Sequence, residues 1–564
     1  MPYLPPLDDF RLILTHLAGY PALSKTELFA EAGAETAEAV LTEAGRLAAE
    51  VLAPLQRVGD RQPARLENGV TRTPPGFGEG FRAIAEGGWI GISAEESSGG
   101  MGLPLSLATA VNEMFSAACL SLQLAPLMSQ GQIEALEHHG SDEMKALYLP
   151  KLTSGEWMGT MNLTEPQAGS DVGALTTKAE PAGDGTYRIT GQKIYITWGD
   201  NDFAENICHL VLARLPDAPA GTKGISLFMV PKFLPDEAGA PGAANALRVV
   251  SLEEKLGLHG SPTAVMAYEG AKGWLVGAEH GGMAAMFTMM NNARLGVGAQ
   301  GIGVAEAACQ MALAYAADRK QGRAEGRGTI IEHADVRRML ATMRAQTYAA
   351  RAIALLCAGA LDRAKAGEAA AAAEAAFLTP IAKAFGTDTG CEVAQLGIQV
   401  HGGMGFIEET GAAQLARDVR VTAIYEGTNG IQALDLVGRK LADGGEAAFA
   451  LIDKAVAEAE AAREALKPLA EALWQAAEEL REATERLLAL PVAARGAVAV
   501  PYLRAFALVI GGQAHLSAAR HGGAERLALA RFYLLRMLPE HQGLLAHVAE
   551  AGEAGLPTAD ELLA

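Results

Sequence analysis

The spacing of hydrophobic residues changes twice along this chain. From about residue 25 to residue 150, hydrophobic side chains recur every three or four positions, which is typical of helices with one buried face. Between about 158 and 280 they alternate with polar ones, as in strands that bury one face of a sheet. The helical spacing returns after Gly282 and continues to about Val548. The pattern therefore predicts a β domain set between helical ones.

Individual elements follow from the same spacing and from the positions of Gly and Pro. In the first helical region we predict helices at 36–55, 81–87, 105–120 and 130–139. In the β region we predict strands at 157–164, 187–197 (a strand pair, or one strand with a bulge at Gly191), 209–214 and 225–230, with loops at 216–222 and 235–243. Later helices are predicted at 283–320, 333–366 and 374–401, followed by an antiparallel helix pair within 446–490.

The chain divides into five segments on this basis. Its 564 residues exceed what one hydrophobic core accommodates, so several domains are expected, and the fold class is multidomain α+β. The predicted segments are an N-terminal arm with a short helix (1–35), an N-terminal helical domain (36–157), a middle β domain (158–280), a C-terminal helical domain (281–440) and an additional helical domain (441–564).

Composition and charge argue against several classes of protein. The formal net charge is −20, which is unfavourable for nucleic acid or an anionic membrane surface as the main partner. The chain has no run of eighteen hydrophobic residues and no signal-peptide pattern, so neither membrane insertion nor export is expected. The five cysteines are far apart, odd in number and not at metal-ligand spacing, which favours a cytoplasmic protein without a metal site.

The segment 417–432, RDVRVTAIYEGTNGIQ, is the strongest candidate for chemistry. A hydrophobic, β-branched run leads to one carboxylate, Glu426, and Gly427 then removes a side chain where another group must approach it closely. Hydrophobic surroundings would raise the pKa of this carboxyl group, as a general base working near neutral pH requires. The alternative is an acidic residue in a loop that opens a helix.

Two segments of the β region offer groups for a polar heterocycle. The first, LTEPQAGSD at 163–171, follows a strand and combines hydroxyls with backbone N–H groups in a Pro/Gly turn. The second, KIYIT at 193–197, places Tyr195 and Thr197 on the same side of a strand, so a ring and a hydroxyl face a ligand together. The alternative for Tyr195 is an aromatic side chain that faces the core.

Three polar or glycine-rich segments mark the later helices. NNAR at 291–294 supplies donors for an anionic ligand, and DRKQ at 318–321 ends a helix, where its cations also complement the helix dipole. QVHGGMGF at 399–406 permits close approach to the backbone, but it is not a dinucleotide-binding fingerprint. His401 lacks a partner at metal-ligand spacing, so we expect a hydrogen-bonded or solvated histidine.

These segments, taken in order, closely resemble the acyl-CoA dehydrogenase family over about residues 36–440. The motifs are LTEPQAGSD, KIYIT, MNNARLGVGAQ, DRKQGR, QVHGGMGF and RDVRVTAIYEGTNGIQ, and they are specific jointly rather than singly. The arm and the additional C-terminal helices look like the longer bacterial branch that includes 3-(methylthio)propanoyl-CoA dehydrogenases. The resemblance implies a middle β-barrel or β-sandwich domain and a C-terminal four-helix bundle, which hold FAD non-covalently in a homodimer.

The resemblance also implies roles for individual residues. Glu426 matches the base that removes the α-proton of an acyl-CoA, while the β-hydrogen leaves as hydride to flavin N5. The thioester oxygen would bind the backbone N–H of Glu426 and a flavin ribityl hydroxyl. The residues implied to bind FAD are Met161, Leu163, Thr164, Ser170, Tyr195, Thr197, Arg319, Gln321, Gln399, Gly403 and Thr428. Those implied to bind the substrate are Ser170, Asn291, Arg294 and Gly427.

The chain departs from the family pattern at three positions. Some relatives carry the base beside the residue that matches Arg294, but here that neighbour is Ala293, which cannot accept a proton, so Glu426 is favoured. After Gln321 the family usually has an aromatic residue and Gly, whereas this chain has Gly322-Arg323. Gly430 replaces a frequent Gln and removes one amide from the flavin side.

The resemblance implies an FAD-dependent acyl-CoA dehydrogenase that passes electrons to an electron-transferring flavoprotein. Its substrate would be 3-(methylthio)propanoyl-CoA or a straight-chain acyl-CoA. One alternative is an acyl-CoA oxidase, in which O₂ takes the electrons. A second is a flavin-bound protection protein like those of the DNA-associated branch, which the charge of −20 disfavours.

Overall fold

The computed structural model describes residues 3–323, 326–549 and 556–564. The chain forms two compact units, each built from separate stretches of sequence. The bundle unit comprises Met1–Gly45, Pro104–Ala117 and Arg294–Ala564. The sheet unit comprises Arg46–Leu103 and Ala118–Ala293.

The sheet unit is organised around a seven-stranded mixed sheet. The strands of the unit are β1 (Arg65–Glu67), β2 (Val70–Arg72), β3 (Trp157–Asn162), β4 (Lys178–Pro181), β5 (Tyr187–Thr197), β6 (Asn206–Arg214), β7 (Ile225–Pro231), β8 (Phe233–Pro235), β9 (Pro241–Ala244), β10 (Leu247–Leu252) and β11 (Thr263–Val276). The order in the large sheet is β10-β11-β5-β4-β6-β3, and β7 pairs with both β6 and β11. β6 runs parallel to β3 and β4, and the other pairs are antiparallel. The predicted middle β domain is confirmed.

The hydrophobic positions of these strands form one core. Ile189, Val211, Phe228 and Met266 are buried together in it, and β7 is buried along its whole length. The predicted loop at 235–243 is wrong, because β8 and β9 pair there as a hairpin. Pro, Gly and Ala dominate that hairpin, and it is largely exposed, so it has no hydrophobic alternation to reveal it.

The described residues also form nineteen α-helices, with short 3-10 and π-helical turns between them. They are α1 (Leu7–His16), α2 (Tyr20–Leu23), α3 (Ala34–Leu47), α4 (Leu55–Arg61), α5 (Phe77–Glu86), α6 (Leu105–His139), α7 (Asp142–Thr153), α8 (Gly282–Asp318), α9 (Ala334–Lys365), α10 (Ala369–His401), α11 (Ala412–Val419), α12 (Asn429–Asp435), α13 (Glu446–Ala462), α14 (Lys467–Ala489), α15 (Val492–Arg495), α16 (Ala499–His521), α17 (Ala524–Phe532), α18 (Glu540–Ala549) and α19 (Ala559–Leu563).

Two of the predicted helix boundaries are wrong. The helices expected at 105–120 and 130–139 both lie in α6, whose backbone is non-helical at Cys119 (φ −155°). The first predicted helix therefore ends at the observed break, whereas the second starts directly after the break and not at Gln130. Nearly every residue of α6 is buried, so it lacks the polar face that would have shown its extent. The helix expected at 36–55 ends as α3 at Leu47 and continues as a π-helical turn, Ala48–Leu52.

Small residues let α8 and α10 cross closely within the bundle unit. A methyl group added at Gly301 would lie 2.4 Å from the backbone oxygen of Gly386, and one at Gly390 would lie 2.6 Å from that of Gly301. At these two positions only glycine lets the helix backbones approach to this distance. The crossing brings the polar residues on the neighbouring turns of both helices into one region.

The additional C-terminal helices share their hydrophobic core with the earlier helices of the bundle unit. Side chains of α8, α9 and α10 form one buried cluster with those of α13, α14 and α16. Hydrophobic residues spaced along α13 and α14 contribute to it, namely Phe449, Ile452, Val456, Ala459, Leu469, Leu473, Ala476 and Leu480. The additional helices therefore pack on the chain's own core.

A buried ionic cluster ties distant parts of the bundle unit together. The guanidinium of Arg351 on α9 is 1% exposed and lies 2.6 Å from Asp9, 2.6 Å from Glu113 and 2.7 Å from Glu306. Asp9 also pairs with Arg526 of α17. The cluster therefore joins α1, the first part of α6, α8, α9 and α17 through hydrogen-bonded charges.

Among the described residues, two helical segments have the length and mean hydropathy of membrane spans. They are α6 and the helical run Val492–His521, with hydropathy values of 1.3 and 1.4 over their most apolar windows. Within the protein, 94% and 61% of those windows are buried. Core helices of globular units meet the same criterion, because a helix buried on all sides is apolar all round.

Candidate functional site

A tight turn between α11 and α12 holds Glu426. After α11 the chain makes a 3-10 turn, Arg420–Ala423, and α12 begins at Asn429. Glu426 and Gly427 both have left-handed backbone, with φ of +54° and +80°. A Cβ atom on Gly427 would lie 2.5 Å from the side-chain nitrogen of Gln432, so no larger residue fits there without displacement. Glu426 therefore does lie in a loop that precedes a helix, as the alternative interpretation expected. This position is compatible with its role as the candidate base.

The carboxylate of Glu426 is half-buried and lacks a bonded partner within the described residues. Burial raises the pKa of Glu426 to about 7, and the positive charges of Arg294 and Lys383 oppose the rise. The backbone N–H of Glu426 likewise donates no hydrogen bond to any described residue. The turn thus presents a proton acceptor and a hydrogen-bond donor on the same residue.

Arg294 lies beside this turn. It is buried in α8, and its Nη2 atom would lie 3.8 Å from a Cβ atom built on Gly427. Burial lowers the pKa of Arg294, against the charges of Asp435 and Glu426. The structure therefore brings two of the predicted substrate-binding residues, Arg294 and Gly427, together with Glu426. Asn291 lies in α8 as well, but its side chain is outside the described part of the chain.

A polar network beneath the turn was not predicted from the sequence. The Nζ atom of Lys383, on α10, donates to Oδ1 of Asn429 at 2.8 Å, and Lys383 is completely buried. Nδ2 of Asn429 donates to Asp388 at 2.7 Å. The hydroxyl of Tyr425 donates to Oε1 of Gln300. These bonds fix the residues on both sides of Glu426 to α8 and α10.

In the sheet unit, the predicted flavin-binding residues around β3 lie next to the end of β5. Met161, Leu163 and Thr164 are half-buried, and the oxygen of Thr164 accepts a hydrogen bond of 2.9 Å from the N–H of Ile194. Nζ of Lys193 donates at 2.9 Å both to the oxygen of Leu163 and to Glu165. Ser170 is exposed on the loop that follows. The motifs LTEPQAGSD and KIYIT are thus bonded to each other.

Tyr195 lies at an irregularity in β5. Its φ is +62°, and the register between β5 and β11 shifts between the pairs Ala264–Ile196 and Met266–Lys193. The predicted bulge at Gly191 is wrong, since Gly191 pairs regularly with Tyr268. The ring of Tyr195 is 61% exposed, so the core-facing alternative is wrong as well. Tyr195 and Thr197 were predicted to lie on the same side of the strand because side chains alternate along it. The left-handed backbone of Tyr195 interrupts that alternation.

The candidates for the adenosine end of FAD lie at two adjacent helix ends. The ring of Tyr315, near the end of α8, stacks on His401 at the end of α10 with centroids 4.4 Å apart. Gln399, in the last turn of α10, is exposed, and so are Arg319, Gln321 and Gly403 beyond the two helix ends. His401 is buried and hydrogen-bonds Gly397 at 2.7 Å, as expected for a structural histidine. Thr428 belongs to the Glu426 turn instead, where its hydroxyl donates to the oxygen of Ala423 at 3.2 Å.

Models of one enzyme family match most of this chain. The acyl-CoA dehydrogenase N-terminal domain matches residues 34–156, the middle domain 160–271 and the C-terminal domain 280–442. The chain belongs to the acyl-CoA dehydrogenase family. A model described as acetyl-CoA dehydrogenase C-terminal like matches residues 448–556, so the additional helices form a recognised domain too. The resemblance inferred from the motifs is confirmed, and the chain is an oxidoreductase of this family.

A relative with a described substrate covers most of the chain. The 3-methylmercaptopropionyl-CoA dehydrogenase of Ruegeria pomeroyi is 50% identical over 458 residues, which are 79% of this chain and 78% of the relative. Among solved structures, Caenorhabditis elegans ACDH-11 in complex with C11-CoA superposes with a TM-score of 0.79 at 22% identity, over 94% of this chain and 91% of that one. An acyl-CoA dehydrogenase from Bacillus anthracis complexed with FAD gives 0.74 at 23% identity, over 94% and 90%. These two structures show the same fold.

Proposed function

We propose that this protein catalyses the FAD-dependent α,β-dehydrogenation of an acyl-CoA thioester, with Glu426 as the base. The observation that carries the proposal is the half-buried Glu426 carboxylate, which has a pKa raised to about 7 by burial and no bonded partner among the described residues. A general base is most effective when its pKa is near the working pH and its lone pairs are free. The reaction yields the trans-2-enoyl-CoA.

Glu426 accepts the α-proton of the thioester in this proposal. The acidity of that proton depends on stabilising negative charge on the thioester oxygen as it develops. The N–H of Glu426, which bonds no described residue, is available to donate to that oxygen. Gly427 contributes no side chain, so the thioester can approach both groups, and Arg294 adds positive charge nearby.

The residues present fit FAD. The exposed ring of Tyr195 beside Met161, Leu163, Thr164 and Thr197 offers a surface for a planar heterocycle. The exposed guanidinium of Arg319 pairs with no described carboxylate and suits a pyrophosphate, with Gln321, Gln399 and Gly403 close by. Thr428 and Ser170 are further contacts implied by the motifs. When bound, FAD supplies the acceptor for the hydride that leaves the β-carbon.

The substrate we propose is 3-(methylthio)propanoyl-CoA or a straight-chain acyl-CoA. The first is supported by 50% identity with the Ruegeria pomeroyi dehydrogenase over most of both chains. Ser170, Asn291, Arg294 and Gly427 are proposed to contact the thioester and the pantetheine. Of these, Arg294 and Gly427 lie together at the Glu426 turn.

We further propose an electron-transferring flavoprotein as the electron acceptor and the cytoplasm as the location. The five cysteines, all of them in the described part of the chain, form no disulfide bonds, which suits a reducing compartment. The alternative acceptor is O₂. Aerobic turnover that forms peroxide stoichiometrically, without an added acceptor, would favour the oxidase instead.

A homodimer is the proposed assembly. The additional helices pack on α8, α9 and α10 through a shared core, and in doing so they cover a helix face that would otherwise be available for further association. Light scattering at working concentration tests the proposal, with a mass of two chains expected. A mass near four chains would contradict it.

A panel of acyl-CoA thioesters tests the proposed reaction. We expect the purified protein to be yellow, the flavin to bleach on anaerobic mixing with substrate, and a dye acceptor to be reduced in turnover. The panel should contain the methylthio substrate and its straight-chain isostere of equal length, pentanoyl-CoA, as a matched control for the sulfur atom. A flavin that no member of the panel bleaches would reject the proposal.

A further inference from the structure

Lys383 is a buried cation that the proposed reaction does not use directly. It lies in α10 and is 0% exposed. Among the described residues no carboxylate lies within ion-pair distance of it, and its Nζ atom donates only to Oδ1 of Asn429 at 2.8 Å. Burying an ammonium group without a directly paired anion is costly. The buried ammonium group of Lys383 therefore requires attraction from a negative charge beyond ion-pair distance.

Asn429 holds this cation in a fixed position below the Glu426 turn. Its Oδ1 atom accepts from Lys383, while its Nδ2 atom donates to Asp388 at 2.7 Å and to the hydroxyl of Thr387 at 3.0 Å. Both sides of the amide are therefore engaged. Since Asn429 is three residues after Glu426 and opens α12, the same contacts fix the turn that carries the carboxylate.

The titratable groups that act on Glu426, or on the two cations beside it, come from α8, α10, α12 and the turn after α12. α8 contributes Arg294, α10 contributes Lys383 with Asp388 and Cys391, α12 contributes Asp435, and Arg439 follows it. The charge of Arg294 is opposed by Asp435, and that of Lys383 by Asp388. Of the described groups, Arg294 and Lys383 are the two cations that favour the ionised form of Glu426.

We propose that Lys383 is a positioning residue for Glu426: held by Asn429, it supplies buried positive charge that favours the carboxylate over the carboxylic acid. The inference rests on the proposed function in treating Glu426 as the base. The direction follows from Coulomb attraction, because a fixed cation stabilises the anion more strongly in a partly buried site than in water. Burial lowers the pKa of Lys383 to about 8, so the ammonium form still predominates at pH 7.

Lys383→Gln tests the role of the charge, because the amide can still donate to Asn429. In the holoenzyme we expect the midpoint of the acidic limb of flavin reduction, followed by stopped flow under saturating acyl-CoA, to rise by about one pH unit. The rate should then be roughly tenfold lower well below the midpoint and converge with the wild-type rate at high pH. Lys383→Arg keeps the charge and should restore the wild-type midpoint. Lys365→Gln, an exposed lysine of α9, is the matched control for loss of one charge and should leave the midpoint unchanged.

A second readout needs no turnover. Difference infrared spectroscopy of the substrate-free holoenzyme follows protonation of Glu426 through its carboxyl band, which is absent in Glu426→Gln. The pH at the midpoint of this titration should rise in Lys383→Gln by the same amount. If acyl-CoA bleaches no flavin but this band still shifts, the proposed function fails and the inference about Lys383 stands. An unshifted midpoint in Lys383→Gln would overturn the inference even if the variant were slower, and so would an equal shift in Lys365→Gln. Should Lys383→Gln fail to fold, Asn429→Ala replaces it, with a smaller rise expected and no rise overturning the inference.

Discussion

Each unit of this protein contains a glutamate near a buried lysine, but the pKa values of the two glutamates, buried Glu165 and half-buried Glu426, shift in opposite directions. In the sheet unit Lys193 bonds Glu165 directly at 2.9 Å, whereas in the bundle unit Lys383 reaches only Asn429, three residues from Glu426. Burial lowers the pKa of both lysines to about 8. The pKa of Glu165 is nevertheless about 2 and that of Glu426 about 7.

Hydrogen bonding explains the difference between the two glutamates. Burial would raise the pKa of Glu165, but the charge of Lys193 and donors from Thr176 and Thr177, at distances of 2.6 to 3.0 Å, lower it further than burial raises it. Glu426 receives no such bond from the described residues. A buried carboxylate whose lone pairs are all occupied supports structure, and one that is left unbonded keeps its capacity to accept a proton.

The largest expected effect is on catalysis at the unbonded carboxylate. Glu426→Gln keeps the shape of the side chain but cannot accept a proton, so flavin reduction should fall at least about a thousandfold while FAD and acyl-CoA still bind. Stopped-flow bleaching of the flavin measures the rate. Glu409→Gln, at an exposed position in the same unit, serves as the control and should react at the wild-type rate. Rapid bleaching in Glu426→Gln would reject Glu426 as the base.

Breaking the bonded pair should affect stability rather than chemistry. Lys193→Met leaves the carboxylate of Glu165 buried without its cation, and we expect a loss of about 3–5 kcal/mol in the free energy of unfolding. Lys383→Met should lose less, since no described carboxylate is directly paired with Lys383. Denaturant unfolding followed by circular dichroism gives both values, with exposed Lys178→Met of β4 as the control. Equal losses of unfolding free energy in Lys193→Met and Lys383→Met would contradict the distinction between a directly bonded and an unbonded lysine–glutamate pair.

The smallest expected effect is on the pH dependence of stability, to which Glu426 and Glu165 contribute in opposite directions. The pKa of Glu426 is raised above its unfolded value, so the stability it contributes is present below about pH 4.5 and is lost as the pH rises through about 7. When the pH is raised from 5 to 8, the free energy of unfolding of Glu426→Gln should therefore increase by about 1–3 kcal/mol relative to that of wild type, allowing for partial exposure of the side chain. The pKa of Glu165 is lowered, so its contribution is present above 4.5, and Glu165→Gln should be less stable than wild type at pH 7. Thermal unfolding at pH 5 and pH 8 measures the stability of both variants relative to wild type. The comparison would be contradicted if Glu426→Gln did not gain stability relative to wild type from pH 5 to pH 8, or if Glu165→Gln were as stable as wild type.

Much of the candidate site was predictable because its residues occur in short continuous motifs. Glu426 stood out through the hydrophobic run before it and the glycine after it, and LTEPQAGSD and KIYIT through their polar groups at strand ends. Lys383 gave no such signal, because a single lysine in a hydrophobic helix has the same appearance whether it reaches solvent or is buried. Its role depends on Asn429, 46 residues later, and sequence spacing does not reveal that contact.

The fold was predictable where an element has one buried face or a short, fully hydrophobic run. β5 shows alternation and β6 and β7 show hydrophobic runs, and their predicted positions were close to those observed. The prediction missed the part of α6 between Cys119 and Gln130, which is buried on all sides, and the β8–β9 hairpin, which is largely exposed. In both cases the environment is uniform, so no periodicity is imposed on the sequence. The left-handed backbone of Tyr195 was not predictable for another reason, because it coincides with a register shift between β5 and β11.

The ionic cluster around Arg351 has a consequence for the order in which the protein matures on the ribosome. Asp9 is translated before both of its partners, and Arg526 lies 517 positions after it. Until Arg526 has been translated, Asp9 can pair with Arg351 alone among its two described partners, and before Arg351 is made it has neither. α1 therefore gains its last ion pair only after α17 has been made, and a nascent chain stalled before α17 lacks the pair between Asp9 and Arg526.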